Sequence, residues 1–255
     1  MVASGTLLFA AEVDRINRST APARMLSCRH PKDAVVSQVL SHLGIFSMLG
    51  ERGRVRVSAE DVIYWKVHGG TEADGERAND ALIPYEDLFS DPDKARIYRG
   101  ITEAMTNCRQ HAYEGRSDEG WWMYTQLKDN VLSVAFADLG IGIPVSLSSR
   151  EDSFKRNVSR YLFFAGLPWS DGNCIRAALE LGRSRTGRPN RGKGLPDIRA
   201  VVDRLDGGLI IHSNDGLFHL NSATKKAECR TFSNNASFQG TIIVWAIPVP
   251  RRESE

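Results

Sequence analysis

No run of apolar residues in this chain approaches the length of a membrane span, so a transmembrane helix is excluded at the level of sequence. Paired cysteines are also missing. Cys28, Cys108, Cys174 and Cys229 lie far apart and form no CxxC unit, which gives no basis for a zinc site or a disulfide framework. Free thiols suit a reducing cytoplasm, and a cytoplasmic protein is expected. Neither sign of charge is in excess: 33 Lys and Arg face 31 Asp and Glu, a formal +2 that argues neither for nor against a nucleic-acid partner. Val2 to Ala11 is mildly apolar, but Glu12, Asp14 and Arg15 interrupt it, so neither a signal peptide nor an anchor is expected. Internal repeats and low-complexity tracts are absent.

What remains is a chain of 255 residues, 42% hydrophobic and 25% charged, ordinary for a globular protein and long enough for one large domain or a domain with an extension. Its most informative stretch is Glu103 to Tyr113, EAMTNCRQHAY. Ile97, Ile101, Ala104, Met105, Cys108 and Ala112 recur at helical spacing and predict a buried stripe. Glu103, Asn107 and His111 stand four apart on one flank of that helix. Ser90 or Asp91 suits its start, with Pro92 in the first turn. A carboxylate can take a proton from water, and a carboxamide oxygen is a hard ligand suited to magnesium.

Elsewhere, Thr6 to Ala10 predicts a short strand and Asp33 to Leu43 a helix with Gly44 at its end. Val55 and Val57 alternate with arginines, and Val62 to Val67 reads as a strand. Gly69 to Asp80 reads as a mobile loop. Trp121 to Leu127 and Val131 to Ala137 predict a hairpin, as do Leu209 to Ser213 and Leu217 to Asn221 around Asp215-Gly216. Helices are predicted near Phe154 to Ala165, near Cys174 to Leu181, and from Leu195 to Leu205 with a stop at Gly207. Thr241 to Ile247 is the closing strand. This order predicts an α+β fold, a two-layer α/β sandwich whose mixed, mostly antiparallel sheet carries helices on one face, with a small N-terminal α/β extension.

Two further motifs carry chemistry. In Asp138-Leu-Gly140-Ile-Gly142-Ile-Pro144 a carboxylate at a strand end is followed by glycines that admit a ligand ring close to the backbone. Such a carboxylate can accept a hydrogen bond from an exocyclic amine. Arg191-Gly192-Lys193-Gly194-Leu195-Pro196 opens a helix, and free N–H groups there suit phosphates. It is not a P-loop, because the GxxxxGK[ST] spacing is missing, nor a dinucleotide fingerprint, because no βαβ unit surrounds it. Taken singly, the three motifs have plainer readings: a solvated helix flank, an Asp-Gly turn and a Gly-rich loop before a helix.

Together, over roughly residues 90–250, they resemble the gyrase, heat-shock chaperone, histidine kinase and mismatch-repair (GHKL) ATPase superfamily. EAMTNCRQHAY matches its N box, DLGIGIP and RGKGLPDIR its two glycine boxes, and Gly240-Thr241 its terminal Gly-Thr. The nearest branch is that of histidine kinases and anti-sigma serine kinases. The resemblance implies a Bergerat-type fold over 89–255, with an ATP lid at about 145–191, and ATP and magnesium as cofactors. Asn107 would ligate the magnesium, and Glu103 would polarise the attacking water or hydroxyl. Asp138 would bind the adenine amino group, also through a water shared with Thr241. Gly140, Gly142 and Ile143 would border the adenine. Arg191, Gly192, Lys193, Gly194 and Leu195 would hold the phosphates. His111 has two readings, a contact near the phosphates or a helix-flank residue packing on the sheet. Arg183, Arg185, Arg188 and Arg191 are candidates for the γ-phosphate.

The implied function is a Mg-ATP-dependent ATPase or serine/threonine kinase of the anti-sigma type acting on a protein partner. The alternatives are an ATP-gated interaction switch and a histidine-kinase catalytic domain working in trans. Histidine autophosphorylation is not expected, because His30-Pro31 sits in a turn-like stretch and no heptad helix pair precedes the N box. With the chain ending shortly after Pro250, no transducer domain and hence no DNA-clamp function is expected. A protein partner is expected and a homodimer left open, while nucleic acid and membrane are not expected partners. Residues 1–88 either resemble a sulfate-transporter/anti-sigma-antagonist α/β unit or extend the sheet and pack on the ATP domain.

Overall fold

The computed structural model describes residues 3–19, 28–51, 66–113, 120–149, 153–183, 194–232 and 237–249. The chain opens on helix α1 (Ala3–Ser19). The short strand expected at Thr6 to Ala10 is therefore helical, and the burial pattern gives the reason. Thr6, Leu7, Ala10, Ala11 and Val13 are the buried positions, which share a helical face but not a strand face. Helix α2 (Ala34–His42) starts at Asp33, whose carboxylate accepts the Val36 N–H at 2.9 Å, and Gly44 then takes φ 75° before helix α3 (Ile45–Met48).

Strand β1 (Lys66–Gly70) carries the end of the predicted 62–67 strand; residues 62–65, like Val55 and Val57, lie outside the described residues. The expected loop from Gly69 to Asp80 is instead the end of β1 followed by helix α4 (Gly75–Leu82), capped by Asp74. Its charges hide a narrow apolar face, Ala78, Ala81 and Leu82, spaced three and four apart and buried. A 3-10 segment, Ile83–Leu88, leads into helix α5 (Asp91–Asn107), which has Ser90 at its N-cap position and Pro92 in its first turn. The helical run continues as a π turn over Cys108–Ala112.

Strands β2 (Trp121–Lys128) and β3 (Val131–Asp138) form the expected hairpin. Asp129 and Asn130 both take positive φ, 51° and 58°, the backbone that a two-residue turn between twisted strands requires. Helices α6 (Ile143–Ser149), α7 (Ser153–Phe164), α8 (Asp171–Arg183) and α9 (Gly194–Leu205) follow. The chain then returns to the sheet with β4 (Gly208–Asn214), β5 (Gly216–Asn221), β6 (Lys226–Thr231) and β7 (Phe238–Pro248).

The seven strands lie in the order β1-β2-β3-β7-β4-β5-β6, and every described pairing is antiparallel. The last strand is thus central, inserted between β3 and β4. Sequence reading missed β6 because it is an edge strand exposed at nearly every position and shows no apolar alternation.

Alternation on the strands divides the core. Met123, Phe136, Ile243 and Trp245 point to one face, where they meet Ile101 and Met105 of α5, Ile175 and Leu179 of α8, and Val201 and Val202 of α9. This is the helical layer that the sequence predicts, and the Trp245 indole N–H ties it to the sheet by donating to the Ile198 carbonyl at 2.8 Å. Trp122, Tyr124, Ala135 and Ala137 point the other way and are covered by Leu7, Ala10 and Ala11 of α1 and Ile45 of α3. The Trp122 indole N–H donates to Asp14 at 2.9 Å. The N-terminal segment therefore supplies an edge strand and a second covering layer to the same sheet. A smaller apolar cluster, built on Leu147, Val158, Leu162 and Cys174, joins α6, α7 and α8. Among the described residues no helix is long and apolar enough to cross a membrane.

Candidate functional site at the end of strand β3

Asp138 is the last residue of β3 and pairs with Thr241 of β7. It is only 6% exposed. Its Oδ1 accepts the Gly140 N–H at 3.0 Å, and the Thr241 N–H also donates to the carboxylate. Burial nevertheless dominates: desolvation pushes the carboxyl up to about 7, against two hydrogen bonds that favour the anion. Asp138 thus holds an ionisable acceptor at a strand end where most carboxylates would be excluded.

The surrounding strand ends are locked by one hydroxyl. Ser213 Oγ donates to the Gly240 carbonyl at 3.0 Å, accepts the Ile143 N–H at 2.8 Å, and lies 3.0 Å from Thr241 Oγ1. Gly240 has φ 120°, and a Cβ there would strike the Asp138 carbonyl oxygen, so glycine at 240 is demanded by the approach of β7 to β3. Asn214 Nδ2 donates to the Ile141 carbonyl at 3.1 Å.

The glycines after Asp138 serve the chain's own packing. At Gly140 a side chain would run into the Ala112 carbonyl oxygen and would lie 2.5 Å from the Ala112 Cβ. At Gly142, φ 80°, it would strike the Asn214 carboxamide. The space that a Cβ would fill at these two positions is taken by Ala112 and Asn214.

That close approach is how the helix reaches the loop. The Ile141 N–H donates to the Ala112 carbonyl at 2.7 Å. The Tyr113 hydroxyl accepts the Leu139 N–H at 2.9 Å and donates to the Gly120 carbonyl at 2.5 Å. The π turn carries Ala112 and Tyr113 into this position, in keeping with the tendency of π turns to mark functional sites. Cys108 on the same turn is buried near enough to Asp138 that the carboxylate charge adds to desolvation in raising its thiol pKa.

On the helix flank, Glu103, Asn107 and His111 are all half-buried, and the stripe from Ile97 to Ala112 is buried as expected. The Asn107 Nδ2 is buried with no hydrogen-bond partner among the described residues, as is the Asn214 Oδ1. Leaving such an atom unpaired costs on the order of 1–3 kcal/mol, so Asn107 has capacity for a further partner. Among the described residues no three of His, Cys, Asp and Glu are grouped to hold a metal.

Ile143 opens α6, and Leu195 stands in the first turn of α9. Both are half-buried where the main core meets the α6–α8 cluster. Gly194 is the first residue of α9, while Arg185, Arg188, Arg191, Gly192 and Lys193 lie outside the described residues, as does the side chain of Arg183. The structure thus gathers Asp138, Gly140, Gly142, Ile143 and Thr241 against the end of the helix that carries Glu103, Asn107 and His111.

Sequence reading missed Tyr113, Ser213 and Asn214. Ser213 and Asn214 read only as the edge of an Asp-Gly hairpin. Their role follows from the β4–β7 register, which places Ser213 opposite Thr241. In comparisons with known proteins, the chain matches no protein-family model and no curated protein.

Proposed function

We propose that this protein binds magnesium–ATP in the manner of the GHKL ATPases and transfers the γ-phosphoryl group to a serine or threonine of a partner protein, or to water. The observation that supports this most is the docking of two motifs separated in sequence. Ala112 and Tyr113, at the end of the EAMTNCRQHAY helix, hydrogen-bond residues 139 and 141 immediately after Asp138, while Thr241 pairs with Asp138 from the other side.

The residues fit the ligands in two respects. Asp138 is a buried acceptor, the complement of an exocyclic amino group. Asn107 has a buried carboxamide nitrogen with no partner among the described residues, a donor suited to a phosphate oxygen. Its carboxamide oxygen is the end that would take magnesium, which favours one or two protein oxygens with phosphates and waters completing its shell.

In this reading Asp138 accepts the adenine amino group and Thr241 stands beside it. Gly140, Gly142 and Ser213 shape the loop that fixes both. Asn107 holds the metal, and Glu103, one helical turn away, takes the proton of the attacking hydroxyl or water. His111, Leu195 and Gly194 border the site, with Arg191, Gly192 and Lys193 as the phosphate-holding segment. When bound, magnesium–ATP supplies the electrophilic phosphoryl group.

The test is ADP formation by the purified protein beside Glu103→Gln and Asp138→Asn. Turnover that falls by two orders of magnitude or more in Glu103→Gln with ATP affinity retained supports the assignment of Glu103. ATP binding without turnover in the wild type points to a nucleotide-gated binding protein or to a kinase that requires its partner. Absence of both binding and turnover overturns the proposal.

A further inference from the structure

We infer that Tyr113 sets the nucleobase selectivity of this site, as a positioning residue that fixes the peptide next to Asp138. The inference rests on the nucleotide reading above.

Three consecutive amides follow Asp138, and each has one defined partner. The Leu139 N–H goes to the Tyr113 hydroxyl at 2.9 Å, the Gly140 N–H to Asp138 itself at 3.0 Å, and the Ile141 N–H to the Ala112 carbonyl at 2.7 Å. The first is the only one of the three held by a side chain from another element. It is also the one nearest the carboxylate, because the 138–139 peptide sets the direction in which the Asp138 side chain leaves the backbone.

The same hydroxyl donates to the Gly120 carbonyl at the start of β2. One oxygen therefore joins the helix end, the entry to β2 and the exit from β3. The Tyr113 ring is 2% exposed in the main core, so the ring has a packing role that is separable from the hydroxyl.

Removing the hydroxyl alone frees the 138–139 peptide while the backbone tie at Ile141 and the fit of Gly140 against Ala112 remain. Asp138 then keeps its carboxylate and its bonds from the Gly140 and Thr241 N–H groups, but the peptide beside it is held less firmly. A less firmly aimed carboxylate still attracts an amino group, but it discriminates less well against an acceptor placed where that amino group should be. Discrimination that rests on fixed polar partners is what suffers when positioning is lost.

The experiment is equilibrium binding of Mg-ATP and Mg-ITP, which differ by an amino group against a carbonyl oxygen at one ring position. It uses wild type, Tyr113→Phe and Tyr85→Phe. The last removes a buried hydroxyl of the same core, one that lies against Thr125 away from the site. The expected result is an ATP-to-ITP affinity ratio narrowed by about tenfold in Tyr113→Phe, the effect of one misdirected hydrogen bond. Tyr85→Phe should leave the ratio unchanged even if it lowers stability.

If Tyr113→Phe folds poorly, 3,5-difluorotyrosine at position 113 keeps the ring and weakens the hydroxyl as an acceptor, with an expected narrowing of about two- to threefold. An unchanged ratio in a wild type that binds ATP overturns the inference and leaves the nucleotide reading standing. A wild type that binds neither nucleotide overturns both.

Discussion

Asp138→Asn should stabilise this protein at high pH and leave its stability nearly unchanged at low pH. The carboxyl ionises near pH 7 in the folded protein, instead of near 3.8, because burial outweighs the N–H bonds from Gly140 and Thr241. Between those two values the folded chain binds more protons at this position than the unfolded chain. The corresponding stability is therefore fully present below pH 3.8 and is lost as pH rises through 7. At about 1.4 kcal/mol for each pH unit of difference, the ionised side chain costs about 4 kcal/mol above pH 7. That is a large share of the roughly 5–15 kcal/mol by which domains are stable.

Asparagine cannot ionise and removes this cost, a figure that already includes the two hydrogen bonds the anion accepts. The net expectation is a gain of about 4 kcal/mol at pH 8 and a change near zero at pH 4. Urea denaturation of both proteins from pH 4 to 8.5 measures it. Every other group titrates alike in the two, so the difference between the curves isolates Asp138. Curves that run parallel over this range refute the argument. A carboxylate kept at such a cost is a mark of use, and this links the stability measurement to the site.

Two further outcomes follow from the same geometry. Gly140→Ala places a Cβ against the Ala112 backbone and should destabilise by about 2 kcal/mol or more in urea denaturation, since neither segment can move without breaking the Ile141–Ala112 bond. Cys108 and Cys174 are buried, with the Cys174 thiol pushed up to about 12 by burial. A thiol reagent should modify these two only as the protein unfolds, whereas half-buried Cys28 reacts in the folded state; fast labelling of Cys108 would contradict the packing of the π turn on Asp138.

The regular elements were readable wherever local chemistry and tertiary packing agree. The β2–β3 hairpin has Asp129 and Asn130 at the two positive-φ positions, and the α5 stripe from Ile97 to Ala112 is buried as its spacing predicts. Reading failed where a narrow apolar face was diluted by charge, as in α4. In α1 it failed because a five-residue window concealed a seventeen-residue helix. β6 left no pattern because an exposed edge strand has no face to bury.

At the site, the motif residues were visible as motifs, but their supports were not. Tyr113 bonds the backbone of residues 120 and 139, and Ser213 bonds residues 143 and 240, so their partners are set by topology alone. Gly140 and Gly142 were recognised as necessary for the approach of a ligand, and the structure adds a packing reason, since the atoms that exclude a Cβ belong to Ala112 and Asn214.

The most direct test of the central claim is calorimetric titration of magnesium–ATP into the wild type and Asp138→Asn at pH 8, where the carboxylate is ionised. The account predicts saturable one-to-one binding to the wild type and an affinity about ten- to a hundredfold weaker in the variant, the value of a hydrogen bond to a charged acceptor. Equal affinity in the two proteins, or no binding to the wild type, contradicts it.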